Sequence, residues 1–252
     1  MMVVEERKDI EVRKIKEKDD EVLKLDIKVL ETKGKTMKLL LKGTNHAFVN
    51  ALRRQIMAGI PILAVEDVHF YQNTGVLTDE MLAHRLAFIP LKMDSAKYKE
   101  GDKVKLVLEK DGPCTVYSKD IKSTDPKVEP AELNIPLTKL VEGQKLKLEM
   151  DAIVGFGKEH AKWQPAIASY QELPILSGTG KSYKADVIEM ILNEKQRDII
   201  VEKDQKLEYD PTTFVFIVES FGNMEPKELF LNAAEGLKQK SKDFIAELKV
   251  LS

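Results

Sequence analysis

Cysteine is almost missing from this chain: Cys114 is the one thiol in 252 residues. A single thiol excludes an internal disulfide framework, a thiolate zinc site and a four-cysteine iron–sulfur cluster built from this chain alone. It leaves Cys114 as a small apolar residue, expected buried or half-buried. Histidine is also scarce. His46, His69, His84 and His160 show neither H-E-x-x-H nor any other metal-ligand spacing, and no metal is expected. No D-x-D-x-D cluster is present to hold two catalytic magnesium ions, and no Ser/His/Asp set is recognisable in sequence order. Long apolar runs are missing as well. No stretch of about 18 uncharged apolar residues occurs, so no membrane-spanning helix is expected. The first residues, "MMVVEERKDIEVRKIKEKDDEVLK", alternate acids and bases and lack the apolar centre of a secretory signal; a cytoplasmic location is expected. Finally, there is no excess of either charge. Lys and Arg number 40 against 42 Asp and Glu, a formal net charge of −2. Proteins that grip nucleic acid over their surface use a basic excess, so DNA contact is not expected as this chain's main task.

What is present fits a globular protein: 43% hydrophobic and 33% charged residues. "LKLDIKVL" alternates, with Leu23, Leu25, Ile27 and Val29 on one face. "ETKGK" supplies a turn with Gly34 at its tip, and "TMKLLLK" resumes a strand, so residues 22–42 read as a hairpin. "TNHAFVNALRRQIMAGIP" follows, with Phe48, Val49, Leu52, Ile56 and Met57 at helical spacing. Asn45 is its N-cap, and Gly59 and Pro61 stop it. Arg53 and Arg54 lie off the centre of that stripe. They read either as solvated or as two guanidinium forks suited to carboxylates of a partner.

"ILAVEDVHFY" reads as a strand, "QNTG" as a turn, and "TDEMLAHRLAFIPL" as a short helix capped by Thr78. Residues 103–109 and 145–152 alternate cleanly and are strands; "SKDIKSTDPKVEPAELNIP" between them reads as an exposed loop. "TTFVFIVESFG" is apolar on both faces and predicts a central strand. After Pro226, a stripe of Phe230, Ala233, Leu237, Phe244, Ile245 and Leu248 runs along about six helical turns. Periodicity alone fits two roles for it: packing against a second chain, or covering the domain's own sheet. Strands with scattered helices, and no βαβ alternation, predict the α+β class.

Two glycine-containing stretches invite a catalytic reading. "ILSGTGKSY" ends like a phosphate-binding loop, with Gly180, Lys181 and Ser182 in the last three places. The first glycine of that pattern falls on Ile175, and Pro174 interrupts the strand that should precede it. A phosphate- or nucleotide-binding enzyme using Lys181 and Ser182 is the rival reading, against an ordinary turn. "VGFGKEHAKWQPA" contains G-x-G without the third glycine of a dinucleotide site. Trp163 there reads as a packing anchor and His160 as a local hydrogen-bond partner.

Three ordered blocks carry a resemblance. "FVNALRRQIMAGIPILAVEDVHFYQNTGVLTDEMLAHRLAFIPLKMD", "VGFGKEHAKWQPA" and "DPTTFVFIVESFGNMEPKELFLNAA" together resemble the α-like assembly subunits of multisubunit RNA polymerases, in particular the archaeal D subunits. The likeness runs from about residue 20 to 250. It implies a discontinuous dimerisation domain of an antiparallel sheet plus two packed helices, residues 1–62 and 207–252. It also implies a mainly β insert domain over 63–206, whose part 166–206 matches a variable, ferredoxin-like segment. The implied partners are a smaller relative, subunit L, the second-largest catalytic subunit and small polymerase subunits. Nucleic acid would be met only through the assembled complex. The implied interface takes Phe48, Leu52, Ile56, Leu237, Phe244 and Leu248 for the relative, Arg53 and Arg54 for the large subunit, and Lys158, His160 and Trp163 of the insert for small subunits. Template-directed synthesis would belong to the complex, with no catalytic residue here. Many of these relatives carry iron–sulfur cysteines in the variable segment. Residues 171–206 hold none, so no cofactor is expected. An adaptor of the same fold acting outside a polymerase is a third reading.

Overall fold

The computed structural model describes residues 25–94, 97–178, 181–182 and 206–250. Two antiparallel sheets share one apolar core. The larger has five strands in the order β1-β2-β13-β11-β12: Asp26–Lys33, Thr36–Lys42, Lys206–Ser220, Ala166–Gly178 and Lys181–Ser182. β1 and β2 form the expected hairpin. Lys33 pairs with Thr36, and Gly34 sits in the turn with φ of 56°, a backbone state that glycine adopts without a Cβ penalty.

β13 occupies the centre, paired with β2 on one edge and β11 on the other. Phe214, Val215, Phe216 and Val218 are all buried, which accounts for a strand apolar on both faces. The same pairing places 166–178 in this sheet, whereas the sequence reading puts that segment in the insert. A strand buried on both faces and both edges needs two hydrogen-bonding neighbours, and β2 supplies only one.

Helix α1, His46–Ala58, and the long helix α3, Pro226–Val250, pack against each other and against one face of this sheet. Asn45 caps α1: its side chain accepts from the Phe48 N–H at 2.9 Å. Gly59 closes the helix as predicted. Val49, Leu52 and Ile56 of α1 and Leu229 and Ala233 of α3 enter the main core with Met37, Leu39 and Leu41 of β2. A smaller cluster, Leu40, Leu173 and Val215, occupies the opposite face, as strand alternation requires.

The second sheet has the order β3-β10-β5-β7: Pro61–Asn73, Lys145–Phe156, Lys103–Asp111 and Lys122–Ser123. Helix α2, Asp79–Ala87, covers it through Leu82 and Leu86. Thr78 precedes α2 as expected, but its side chain makes no bond to the helix backbone. It bonds the Glu80 carboxylate instead, and together with the Glu80 backbone N–H it holds that carboxyl below its usual range. The remaining strands are short: β4 (Leu91–Lys92) with β8 (Glu129–Pro130), and β6 (Cys114–Tyr117) with β9 (Pro136–Leu140).

The stretch 118–136, read as an exposed loop, is more tightly held than its composition suggests. Ser118, Ile121, Val128 and Pro130 are buried. The Ser118 hydroxyl donates to the Glu132 carbonyl at 2.5 Å and accepts from the Ile135 N–H at 3.2 Å. Asp125 gathers Lys97, Tyr98 and the Lys127 N–H. Those donors hold its carboxyl well below the usual range, Lys97 contributing most. Polar, proline-rich composition marks irregular backbone, not exposure.

Candidate partner interface

The chain's longest helix is only half covered. Between Pro226 and Leu237, α3 lays Pro226, Leu229 and Ala233 onto the sheet, with Phe230 edge-on to Phe216 at 5.2 Å between ring centres. From residue 238 to 250 every residue is exposed. Phe244 is 65% accessible, and Ile245, Leu248 and Val250 are similarly open. The predicted stripe is therefore continuous in sequence and divided in space.

Gln55 fixes where α1 and α3 meet. It is buried, its Nε2 donates to the Gly59 carbonyl at 3.0 Å, and its Oε1 accepts from Lys240 Nζ at 2.7 Å. Gly236 lies against it: a Cβ there would stand 2.2 Å from Gln55 Nε2. One amide thus satisfies a helix end and a neighbouring helix, and a glycine makes the approach possible.

A second open area lies at the sheet's free edge. Ile27 and Val29 pair with Leu41 and Leu39 and so share the helix-facing side, yet both helices stop short of them. Each is more than half exposed. A groove of about 410 Å³ runs there between β1 and α3, lined by Ile27, Val29, Met37, Leu39, Phe230 and Leu231. Exposed apolar area of this extent is the usual mark of a protein contact.

The residues singled out from the sequence fall into distinct places. Phe48, Phe244 and Leu248 are exposed on the helices, and Leu237 is half-buried. Leu52 and Ile56 are buried inside the chain, because the stripe they belong to lies directly on the sheet; they cannot reach a partner while the fold is intact. Arg54 is exposed. Arg53 is half-buried, and its guanidinium donates to Asn50 Oδ1 at 3.2 and 3.1 Å and to Met57 Sδ at 3.4 Å. The two arginines are therefore unequal. Sequence reasoning passed over Ile27, Val29 and Leu231 as contact residues. The alternation in "LKLDIKVL" marks the first two as one apolar face but does not say what covers it.

"VGFGKEHAKWQPA" is a joint between the two sheets. Trp163 is buried and its Nε1 donates to the Ile153 carbonyl at 2.9 Å. Gly155 lies under the indole, where a Cβ would stand 2.5 Å from the ring. At Gly157 a Cβ would stand 2.3 Å from the Met57 carbonyl oxygen, at the end of α1. The Lys158 N–H then donates to the Ala58 carbonyl at 3.1 Å. His160 accepts the Lys162 N–H on Nδ1 at 3.1 Å. Lys162 bonds Glu66 and the Val65 carbonyl and stands over the Trp163 ring at 4.5 Å. The two glycines serve close packing rather than a dinucleotide.

In "SGTGKS", the described residues on either side of 179–180 run antiparallel. Ser177 pairs with Ser182 and Gly178 with Lys181, antiparallel. A phosphate loop needs a strand running into a helix whose first N–H groups face the ligand, and this ladder joins strand to strand. Residues 179–180 and 183–205 lie outside the described residues, as do residues 22–24 of the hairpin. Cys114 is half-buried as expected, with Sγ 3.4 Å from the Asp111 carbonyl. Among the described residues, no helix is long and apolar enough to cross a membrane.

A family model described as the RNA polymerase Rpb3/RpoA insert domain matches residues 68–175. DNA-directed RNA polymerase subunit Rpo3 of Pyrococcus furiosus is 36% identical, over 90% of this chain and 98% of that protein. The chain belongs to the Rpo3 family of RNA polymerase subunits. Rpo3 of Methanosarcina acetivorans is 33% identical over 90% of this chain and 99% of its own length. Rpo3 of Methanocaldococcus jannaschii is 37% identical over 81% and 86%. The Rpo3 likeness thus covers far more of the chain than the insert match over residues 68–175.

Proposed function

We propose that this chain is a non-catalytic assembly subunit of an archaeal DNA-dependent RNA polymerase. It pairs with a smaller relative of its own fold, subunit L, and the pair gathers the large catalytic subunits. Family membership supports the polymerase setting. The observation that carries the pairing is the uncovered half of α3 beside the open β1 edge.

The physical argument is one of incompleteness. An isolated helix shorter than about 12–15 residues is marginal in water. The stretch 238–250 has no sheet beneath it, yet it places Phe244, Ile245 and Leu248 on adjoining positions. Burying each such side chain contributes roughly 1.5–3 kcal/mol. A partner with a matching helix pair and sheet edge would cover the overhang and the groove together, and a permanent interface of about 1,600 Å² or more is expected. Arg54, exposed on α1, is the better placed of the two arginines to meet a carboxylate of the second-largest subunit. Lys158 and His160, exposed at the joint, are candidates for contact with small subunits; Trp163 supports them from below. With Cys114 as its one thiol, the chain carries no thiolate-ligated cluster in this reading, and purified protein should contain no stoichiometric iron.

The test is co-expression with the small relative followed by size-exclusion chromatography. The wild-type pair should elute as a stoichiometric heterodimer, whereas Phe244→Asp with Leu248→Asp should leave two separate folded chains. A heterodimer that survives both substitutions would remove the proposed interface.

A further inference from the structure

The apolar side chains that α1 and α3 bury, Val49, Leu52, Ile56, Leu229 and Ala233, belong to one core. Apolar burial has no direction. It holds two helices together without deciding how far one slides along the other. Gln55 is the exception in α1, a polar side chain only 4% exposed. Both ends of its amide are used: Nε2 donates to the Gly59 carbonyl, and Oε1 accepts from Lys240 Nζ. Hydrogen bonds, unlike apolar contacts, depend on distance and angle. Two glycines make room for the amide. A Cβ at Gly59 would lie 2.4 Å from Gln55 Cδ, and one at Gly236 would lie 2.2 Å from Nε2. Gly236 is the one glycine of α3, and glycine weakens a helix interior relative to alanine. Sliding α3 by one turn would bring Asn232 or Ala233, or Gln239 or Lys240, to its place. Each of those carries the Cβ for which Gln55 leaves no room. Lys240 lies four residues before Phe244 and eight before Leu248, so it shares their side of the helix.

We propose that Gln55, Gly236 and Lys240 form a register lock between the two helices. The lock sets how far α3 extends past the sheet and which way Phe244, Ile245 and Leu248 face. A buried polar group serves coiled coils in the same way, fixing register at a cost in stability. Gln55 and Lys240 are thereby positioning residues for pairing with the small relative, and act without touching it. That consequence rests on the α3 interface proposed above; the lock itself does not.

The test uses the full chain and two readouts. In a Cys114→Ala background, nitroxide labels replace Arg54 and Glu247, both exposed, and pulsed electron paramagnetic resonance measures the distance between them. Affinity for the small relative is measured separately on unlabelled protein. Gln55→Leu nearly keeps the side-chain volume and Lys240→Met keeps the stem; each removes the bond between the two residues. Each should shift or broaden the distance distribution and weaken pairing by about fivefold or more. The double variant should lose no more than the weaker-binding single variant, because both changes act through one contact. Lys240→Arg, which keeps a donor, should stay near wild type in both readouts. An unmoved distance distribution in both single variants overturns the lock, even where the melting temperature falls, as a merely structural role would produce. Pairing losses that add in the double variant would show Lys240 touching the partner itself and overturn its positioning role. Full pairing in both single variants would overturn that role as well. If the wild-type chain does not pair, the α3 interface fails, and the distances within the lone chain still decide the lock.

Discussion

The two halves of α3 carry the same kind of stripe and meet opposite fates. Phe230, Ala233 and Leu237 are followed at helical spacing by Phe244, Ile245 and Leu248, with nothing in composition to separate the sets. The first half lies on Phe216 and the buried face of β2; the second has passed the sheet and stands in solvent. The five-stranded sheet is narrower than the helix is long: 25 residues at about 1.5 Å each span roughly 37 Å. An amphipathic period therefore records that a face is to be buried. Whether its own chain or another buries it depends on where the sheet ends.

That contrast can be broken at either half. The largest effect is expected in the first. Leu229→Ala removes a fully buried side chain and should cost about 2–5 kcal/mol of stability, read as a lowered midpoint in urea unfolding. Phe244→Ala should leave that midpoint within about 0.5 kcal/mol, as for other surface changes, while weakening pairing with the small relative by about tenfold or more. Equal losses of stability in both variants would erase the distinction between the halves.

A comparable cost is expected at the joint. Gly157→Ala forces a Cβ against the Met57 carbonyl oxygen, which is backbone and cannot turn aside. A loss of about 1–3 kcal/mol, with faster proteolysis between the sheets, is the expected outcome. Gly236→Ala should be milder, because the atom it meets is a side-chain amide. Its signature is displacement of Gln55 and loss of the Lys240 contact, seen as faster amide exchange at the end of α1.

The smallest effect concerns acid. The Asp125 carboxyl is held low, chiefly by Lys97 and then by Tyr98 and the Lys127 N–H. A depressed carboxyl adds stability that is fully present above its unfolded value of about 3.9 and fades as pH falls below that value toward the folded one. Asp125→Asn removes that contribution, so it should lower the melting temperature modestly at pH 7 and flatten the decline below about pH 4, the two proteins converging in acid. An unchanged acid slope would show that Asp125 contributes nothing to it.

Much of the fold was legible in the sequence for local reasons. Asn45 and Gly59 bound α1, Gly34 turns the first hairpin, and the two-sided apolar run of β13 needed a central place. The interface was legible in part. Leu52 and Ile56 share a stripe with Phe48, and no periodicity separates those that meet the sheet from the one at its border. The open edge at Ile27 and Val29 was marked by alternation but not as open, since exposure of a strand face depends on how far distant helices reach. The joint motif gave its residues without its purpose. Gly155 and Gly157 contact Trp163 and Met57, and no spacing rule ties a glycine to a helix end about a hundred residues away.

The sequence by itself determined the periods, the caps, the turns and the chemistry this chain lacks, because each depends on residues adjacent in the chain. The tertiary structure alone decided which apolar faces close within the molecule and which stay open, and which arginine stands in solvent. These are matters of how far one element extends over another, and that distance is set by packing between segments remote in the chain.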